Sequence, residues 1–146
     1  MRDDVKKSIT DLAGRYREKL ELVKKLLLNE SDKLHYLKSQ NLERVYDLIE
    51  SDNPLIGMID SVDYDIALAE DQLSKTLGLL AKDLYSPLSA GKKEMKEIVS
   101  LRNEVREVIK ILYGQRELLI NQMMRESRRR EINIDELSKI GRLKIQ

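Results

Sequence analysis

The chain has 146 residues, 36% of them charged, and a formal net charge of only +1. This length supports one domain with a real core, and the charge balance argues against a nucleic-acid binder, which usually carries a basic excess. Cys is absent, which excludes disulfides and thiol chemistry and favours a cytoplasmic protein. Ala, Glu, Lys, Leu and Arg make up 70 of the 146 residues, a share typical of long helices and coiled coils.

The first segment predicts one long amphipathic helix. Apolar residues recur every three or four positions over Val5–Leu37, and Glu30 stands at a position on that face where an apolar residue is expected. The polar step Ser39–Asn41 follows, and its last residue is a suitable N-cap. The sequence therefore predicts a tight turn there, with one continuous helix to about Glu50 as the alternative.

The second segment repeats the same period from Leu42 to Leu84 and predicts a second long helix. Pro54 interrupts it. Either a helix ends near Ser51 and a new one begins at the proline, or one long helix is kinked there. The kink is favoured, because the apolar face keeps its phase across the proline.

A loop over residues 85–91 predicts the turn into an antiparallel third helix, from about Lys93 to Glu131. Beyond it, residues 132–146 are predicted to form a short helix or a flexible tail. The predicted fold is all-α: one domain over residues 1–131, an antiparallel bundle of about three long helices with coiled-coil-like packing. The third helix carries a heptad row that consists of Ile98, Val105, Leu112 and Leu119.

Charge divides the chain into three parts. Residues 1–40 carry a net charge of +3, residues 41–85 of −7 and residues 86–146 of +5. If the three parts pack as neighbouring helices, the outer two complement the middle one. Each exposed pair would contribute only about 0–1 kcal/mol, yet together they could favour one arrangement.

Motifs for catalysis or cofactor binding are absent. His35 is the single histidine, and Asp32 three residues before it gives only half of the paired motif that di-iron bundles use. An acidic cluster over residues 60–71 lacks the glycine and terminal Glu of a calcium loop, and no glycine-rich phosphate loop occurs. No apolar run approaches the roughly 20 residues of a membrane span. The sequence thus predicts neither an enzyme nor a cofactor or metal site.

Part of the chain resembles a known family. Residues 37–50, together with Glu30 in the first helix, the polar step Ser39–Asn41 and the apolar ladder that follows, resemble the FlgN-type flagellar export chaperones. The third helix fits that family in length and place. Asn41, where an acidic residue is usual, and Pro54 depart from its pattern.

The resemblance implies a cytoplasmic export chaperone without a cofactor. Its expected partners are the hook–filament junction proteins, also called hook-associated proteins, whose amphipathic C-terminal region it would hold and deliver to the export apparatus. Cargo contacts in that family come from the C-terminal helical part, where a partner helix would cover an apolar stripe. The residues expected to bind the partner here are Ile109, Leu112, Leu119, Ile120, Met123, Met124, Arg128 and Arg129.

Two other functions fit the same sequence. A structural coiled coil would self-associate through the heptad row of the third helix. A peripheral regulator would bind acidic lipid or RNA through the basic run Arg125–Arg130, with affinity that falls as salt rises. The same run also suits a helix C-terminus, where cations interact favourably with the helix dipole.

Overall fold

The computed structural model describes residues 3–86 and 93–130, with side chains described as far as residue 128. Three long helices account for most of this part: α1 is Asp3–Lys38, α2 is Leu42–Leu77 and α3 is Lys96–Arg130. A 3-10 turn, Ala81–Asp83, follows α2. No strand occurs within these described ranges. The prediction of an all-α fold with about three long helices is therefore confirmed.

The turn between α1 and α2 is built from overlapping helix caps. Gln40 has a φ of 65°, and its N–H donates to the Leu37 carbonyl at 3.1 Å, while the Asn41 N–H donates to the Tyr36 carbonyl at 2.8 Å. These two bonds form a Schellman motif. The Asn41 side-chain oxygen then accepts from the N–H of Arg44 at 3.3 Å, as an N-cap does. The predicted break is confirmed, and one continuous helix is excluded.

The second helix ends earlier than the apolar pattern predicts. Gly78, with a φ of 69°, follows the last helical residue, Leu77. Its N–H and that of the next residue donate to the carbonyls of Lys75 and Ser74, at 3.1 and 2.9 Å. This is a second Schellman motif. The expected continuation to Leu84 is wrong, because a glycine that adopts a left-handed conformation stops the helix.

Pro54 lies inside α2, and the helix continues through it. The alternative of two separate helices on either side of the proline is therefore excluded. The proline has no N–H to donate to the carbonyl four residues earlier, that of Glu50, so one helical hydrogen bond is missing there. The third helix begins at Lys96 rather than Lys93. Residues 87–91 of the predicted loop and the predicted C-terminal segment 132–146 lie outside the described residues.

Contacts divide the chain into two compact units, so the prediction of a single domain stays a prediction. The first unit draws on Met1–Leu22 and Met58–Arg106. Within it, α1 and α2 run antiparallel and are joined by ion pairs, of which Lys19–Asp63 at 2.7 Å is the most buried. Its core consists of Val5, Ile9, Leu12, Ala13, Tyr16, Leu20, Leu22, Ile59, Val62, Ile66, Leu73, Leu84, Met95, Ile98, Leu101 and Val105.

The second unit draws on Val23–Gly57 and Glu107–Gln146. At the α1–α2 turn, Leu37 and Val45 are fully buried with Leu119 and Met123 of α3. Half-buried side chains pack around this cluster, and they are Leu34, Tyr36, Leu42, Tyr46 and Ile49. All three helices thus contribute to one apolar core within this unit.

Candidate functional site

Four charged side chains are buried together in the second unit, and we call them the buried charge layer. Glu30 and Lys33 come from α1, Asp52 from α2 and Arg116 from α3, and none is more than 5% exposed. The Lys33 ammonium donates to Glu30 Oε1 at 2.7 Å and also to Asp52 Oδ2. Arg116 Nη2 lies 3.5 Å from the same Glu30 oxygen. The layer therefore ties all three helices together.

The formal charges of this layer cancel, since two cations face two carboxylates. Asn29 adds a neutral donor, whose side-chain N–H bonds Asp52 Oδ1 at 3.0 Å. A buried ion pair contributes little net stability, because desolvation opposes the attraction between the charges. A polar layer inside an apolar seam can instead specify how the helices align. The buried charge layer has the burial and the contacts between helices that such a role requires.

A second polar cluster lies in the first unit. The hydroxyls of Tyr16 in α1 and Tyr85 beyond α2 both donate to Glu70 Oε2 of α2, the first at 3.3 Å. The guanidinium carbon of Arg102 in α3 lies 3.7 Å from the centre of the Tyr85 ring. This arrangement attaches the segment after α2 to all three helices of the unit.

The same arrangement keeps both tyrosines protonated. Burial raises the pKa of Tyr85, and its hydrogen bonds to Glu70 and Tyr16 raise it further. Burial is also the main cause that raises the pKa of Tyr16. A catalytic base or nucleophile would need a pKa near the working pH. These hydroxyls therefore act as hydrogen-bond donors that hold the structure together.

A half-open apolar cleft of about 400 Å³ lies beside Tyr85, between Leu84, Met95 and Val99. Its described lining holds no carboxylate and no histidine. The Tyr85 hydroxyl already donates to Glu70. The cleft therefore offers apolar contact, and its described residues supply no acid–base pair.

Three of the residues expected to bind the partner lie in the core of the second unit. Leu112 and Leu119 are fully buried, and Met123 is 5% exposed. Leu119 and Met123 pack against α1 and α2 near the turn. The apolar stripe that the sequence left for a partner is thus covered, at these three positions, by the chain itself.

The remaining expected residues are more accessible. Met124 is 43% exposed, Ile109 and Ile120 are half-buried and Arg128 is exposed. The side chain of Arg129 lies outside the described residues. Ile120 and Met124 share one side of α3 with Tyr113, since positions three, four and seven apart coincide on a helix. We call Tyr113, Ile120 and Met124 the Met124 flank.

Another apolar stripe follows the other side of α3. Ile111 is 52% and Leu118 54% exposed, two turns apart, with Gly114 between them on the same side. We call these three residues the Leu118 flank. The sequence did not indicate the Leu118 flank, because the periodic signal of the heptad row in the same helix is stronger.

The heptad row itself is buried within the chain. Ile98, Leu112 and Leu119 are fully buried and Val105 is 4% exposed. Self-association through this row would require these side chains to leave the core of the chain, so their burial does not favour the coiled-coil alternative. A homodimer without such a rearrangement would need another surface.

No group of three or more metal-binding side chains occurs in the described part of the chain. Within the same residues, no helix is both long and apolar enough to cross a membrane. His35 is exposed, and its ring meets the Tyr36 ring edge-on at 5.2 Å between centroids. No protein-family model, curated protein sequence or solved structure matches this chain.

Proposed function

We propose that this chain is a binding protein and not an enzyme, and that it holds an amphipathic helix of a partner along the Met124 flank. The supporting observation is the exposure of Tyr113 and Met124, at 42% and 43%, beside the half-buried Ile120. An amphipathic helix that lies along this flank would bury its own apolar side chains against these three. Methionine adapts its shape to varied partners.

The proposed partners are hook–filament junction proteins, and the proposed role is that of a cytoplasmic flagellar export chaperone that passes them to the export apparatus. The resemblance of residues 37–50 to FlgN-type chaperones supports this proposal. The C-terminal half of α3 is where that resemblance places cargo contacts. Burial of Leu112, Leu119 and Met123 moves the proposed contacts to the accessible side of the same helix.

Arg128, one turn after Met124, extends the proposed surface with a positive charge. It would meet acidic residues at one end of the partner helix. A charge at the rim of an interface mainly changes the association rate and its salt dependence. Apolar contacts at the Met124 flank are therefore expected to supply most of the affinity.

The experiment titrates purified hook–filament junction proteins into the full chain and measures the Kd by calorimetry. The variant Met124→Asp should raise the Kd at least about 10-fold, since it places a charge within an apolar contact. Circular dichroism should show unchanged helicity, because Met124 is exposed in the free chain.

The matched control is Leu28→Asp, which adds the same charge at a 61% exposed position of α1 in the same unit. It should leave the Kd within about 2-fold, since surface substitutions away from the contact have small effects. Absence of binding by the unaltered chain would refute the chaperone role. Binding that both variants leave unchanged would refute the Met124 flank as its site.

Two finer features of the fold also stay proposals, a bend of α2 and coiled-coil-like packing of the seam. The missing hydrogen bond at Pro54 supports the bend. The heptad spacing of Ile98, Val105, Leu112 and Leu119, all buried, supports the packing.

A further inference from the structure

The Leu118 flank carries an apolar stripe that the rest of its unit leaves exposed. Ile111 and Leu118 each keep more than half of their surface exposed. They are seven residues apart in α3 and project from the same side of the helix. Large apolar side chains that are exposed on one side of a helix can contribute to an interaction site.

Gly114, between them, borders open space. A Cβ atom built on it would meet nothing within 4 Å. Glycine inside a helix costs about 1 kcal/mol relative to alanine, and no side chain or backbone of the unit fills the space that a Cβ atom would take here. A glycine between two apolar side chains lets the backbone of another helix approach closely.

The charges along this flank indicate what kind of partner fits it. Glu107 lies one turn before Ile111, and Arg125 lies two turns after Leu118, both exposed. The stripe is therefore acidic at its N-terminal end, apolar in the centre and basic at its C-terminal end. Lys110 already contacts Glu107 at 3.2 Å, but such an exposed pair is weak and leaves the carboxylate accessible.

We propose that a second copy of this chain docks on the Leu118 flank, with the two α3 helices antiparallel about a two-fold axis near Gly114. In this register, Ile111 of each copy lies level with Leu118 of the other. Glu107 of each copy comes within one helical turn of the other copy's Arg125. A parallel pairing would instead bring like charges together.

This pairing is isologous, since the same patch is used on both copies. It uses two large apolar side chains per copy, so the interface is small and the dimer is weak and reversible. It leaves the Met124 flank uncovered. The dimer therefore does not depend on the proposed chaperone role.

The first experiment measures the mass of the full chain by sedimentation equilibrium between about 5 and 500 µM. The unaltered chain should show a monomer–dimer equilibrium with a Kd on the order of 10–100 µM, as expected of a small interface. Leu118→Asp should raise this Kd at least about 10-fold. The matched control, Met124→Asp on the other flank, should leave it unchanged.

The variant Gly114→Gln distinguishes an effect on dimerisation from an effect on the stability of the monomer. The new side chain enters open space and favours the helix, so the melting temperature should stay or rise. The same side chain blocks close approach of the second helix, so dimerisation should weaken. A structural role for Gly114 within the monomer predicts a lower melting temperature, which would overturn its assignment to the interface.

The absence of Cys from the sequence makes single-cysteine variants direct reporters of register. Two copies of Gly114→Cys should form a disulfide in the antiparallel dimer, because both cysteines lie near the two-fold axis. Two copies of Arg125→Cys should not, since they would lie roughly 30 Å apart at 1.5 Å per residue.

Three results would overturn the proposal. The unaltered chain could remain a monomer up to 500 µM, which would leave this face without the proposed occupant. Leu118→Asp and Met124→Asp could affect the dimer equally, which would remove the specificity of the flank. Equal cross-linking of Gly114→Cys and Arg125→Cys would indicate parallel helices.

Discussion

The ammonium group of Lys33 is fully buried, and carboxylates from two different helices surround it. A buried ion pair is costly to break, because removal of one partner leaves the other charge without compensation in a dry environment. The neighbouring Arg116 guanidinium lies 3.5 Å from Glu30, whereas the Lys33 ammonium contacts both Glu30 and Asp52. Lys33 is therefore the member of the buried charge layer on which Asp52 depends.

Lys33→Met should lower the free energy of unfolding by about 3–5 kcal/mol. Urea denaturation followed by circular dichroism measures this difference. The control is Lys75→Met, which removes an exposed lysine paired with Asp71 at 2.9 Å and should cost at most about 1 kcal/mol. Comparable effects of the two variants would show that the layer is hydrated and not buried.

The tyrosine cluster predicts a loss of stability in alkali. Burial raises the pKa of Tyr85 in the folded chain above the value of about 10 of an unfolded tyrosine. At pH values between the pKa of the unfolded tyrosine and the higher pKa of Tyr85 in the folded chain, the folded state binds more protons than the unfolded state. Stability therefore falls as pH rises through this range. The stabilising contribution is thus complete below about pH 10 and is lost above it.

Tyr85→Phe should flatten this pH dependence between pH 9 and pH 11, in urea midpoints measured at each pH, because the group that titrates is gone. It should also lower stability at pH 7, since the hydrogen bond to Glu70 is lost. The control is Tyr64→Phe, at a 66% exposed position. If Tyr85→Phe keeps the full alkaline slope, the slope has another origin.

For single residues, the sequence predicted which side chains lie on the apolar face of a helix, but it did not predict which side chains they contact. Glu30 was expected on the apolar face, and it is buried there. Its contacts with Lys33 and Arg116 were not expected, because the sequence does not show which charges lie level on neighbouring helices. A usable signal exists: Asp52 lies seven residues after Val45 and seven before Ile59, so it continues a row of buried side chains.

The two Schellman motifs differ in the residue that takes the left-handed conformation. Gly78 adopts a φ of 69° without strain, whereas Gln40 adopts a φ of 65° with a full side chain. A left-handed conformation costs an ordinary residue roughly 1–2 kcal/mol. The α1–α2 turn is therefore formed at some expense of stability.

Gln40→Gly should raise the free energy of unfolding by about 0.5–1 kcal/mol, which corresponds to a rise of roughly 2–4 °C in Tm. Gly78→Ala is the reciprocal variant and should lower Tm by a similar amount. A Cβ atom at Gly78 meets nothing within 4 Å, so its effect reports backbone conformation alone. Calorimetric scans that show the same sign for both variants would contradict this explanation.

Element boundaries were predictable where turn chemistry is explicit. The polar step Ser39–Asn41 was expected to break the helix, and Asn41 was expected to cap α2, as observed. The end of α2 was missed because the apolar period continues past Gly78 to Leu80 and Leu84. Gly78 ends the helix despite that periodicity, because its left-handed conformation lets the carbonyls of Ser74 and Lys75 accept the hydrogen bonds of a Schellman motif.

On the scale of the whole molecule, the helical composition and the 3–4 residue period were sufficient to predict an all-α chain of three long helices. They were insufficient to predict which apolar face would remain exposed. Whether an apolar side chain is exposed depends on which side of its helix packs against the neighbouring helices. Leu118 and Leu119 are neighbours of identical type, yet one is 54% exposed and the other fully buried.

The buried charge layer also has a consequence for how the chain is made. Glu30, Lys33 and Asp52 are synthesised first and carry together one excess negative charge, and Arg116 follows more than sixty residues later. An α1–α2 hairpin without α3 would bury this excess charge at a cost in free energy, because a buried charge without a partner is unfavourable. Docking of α3 supplies a cation 3.5 Å from Glu30.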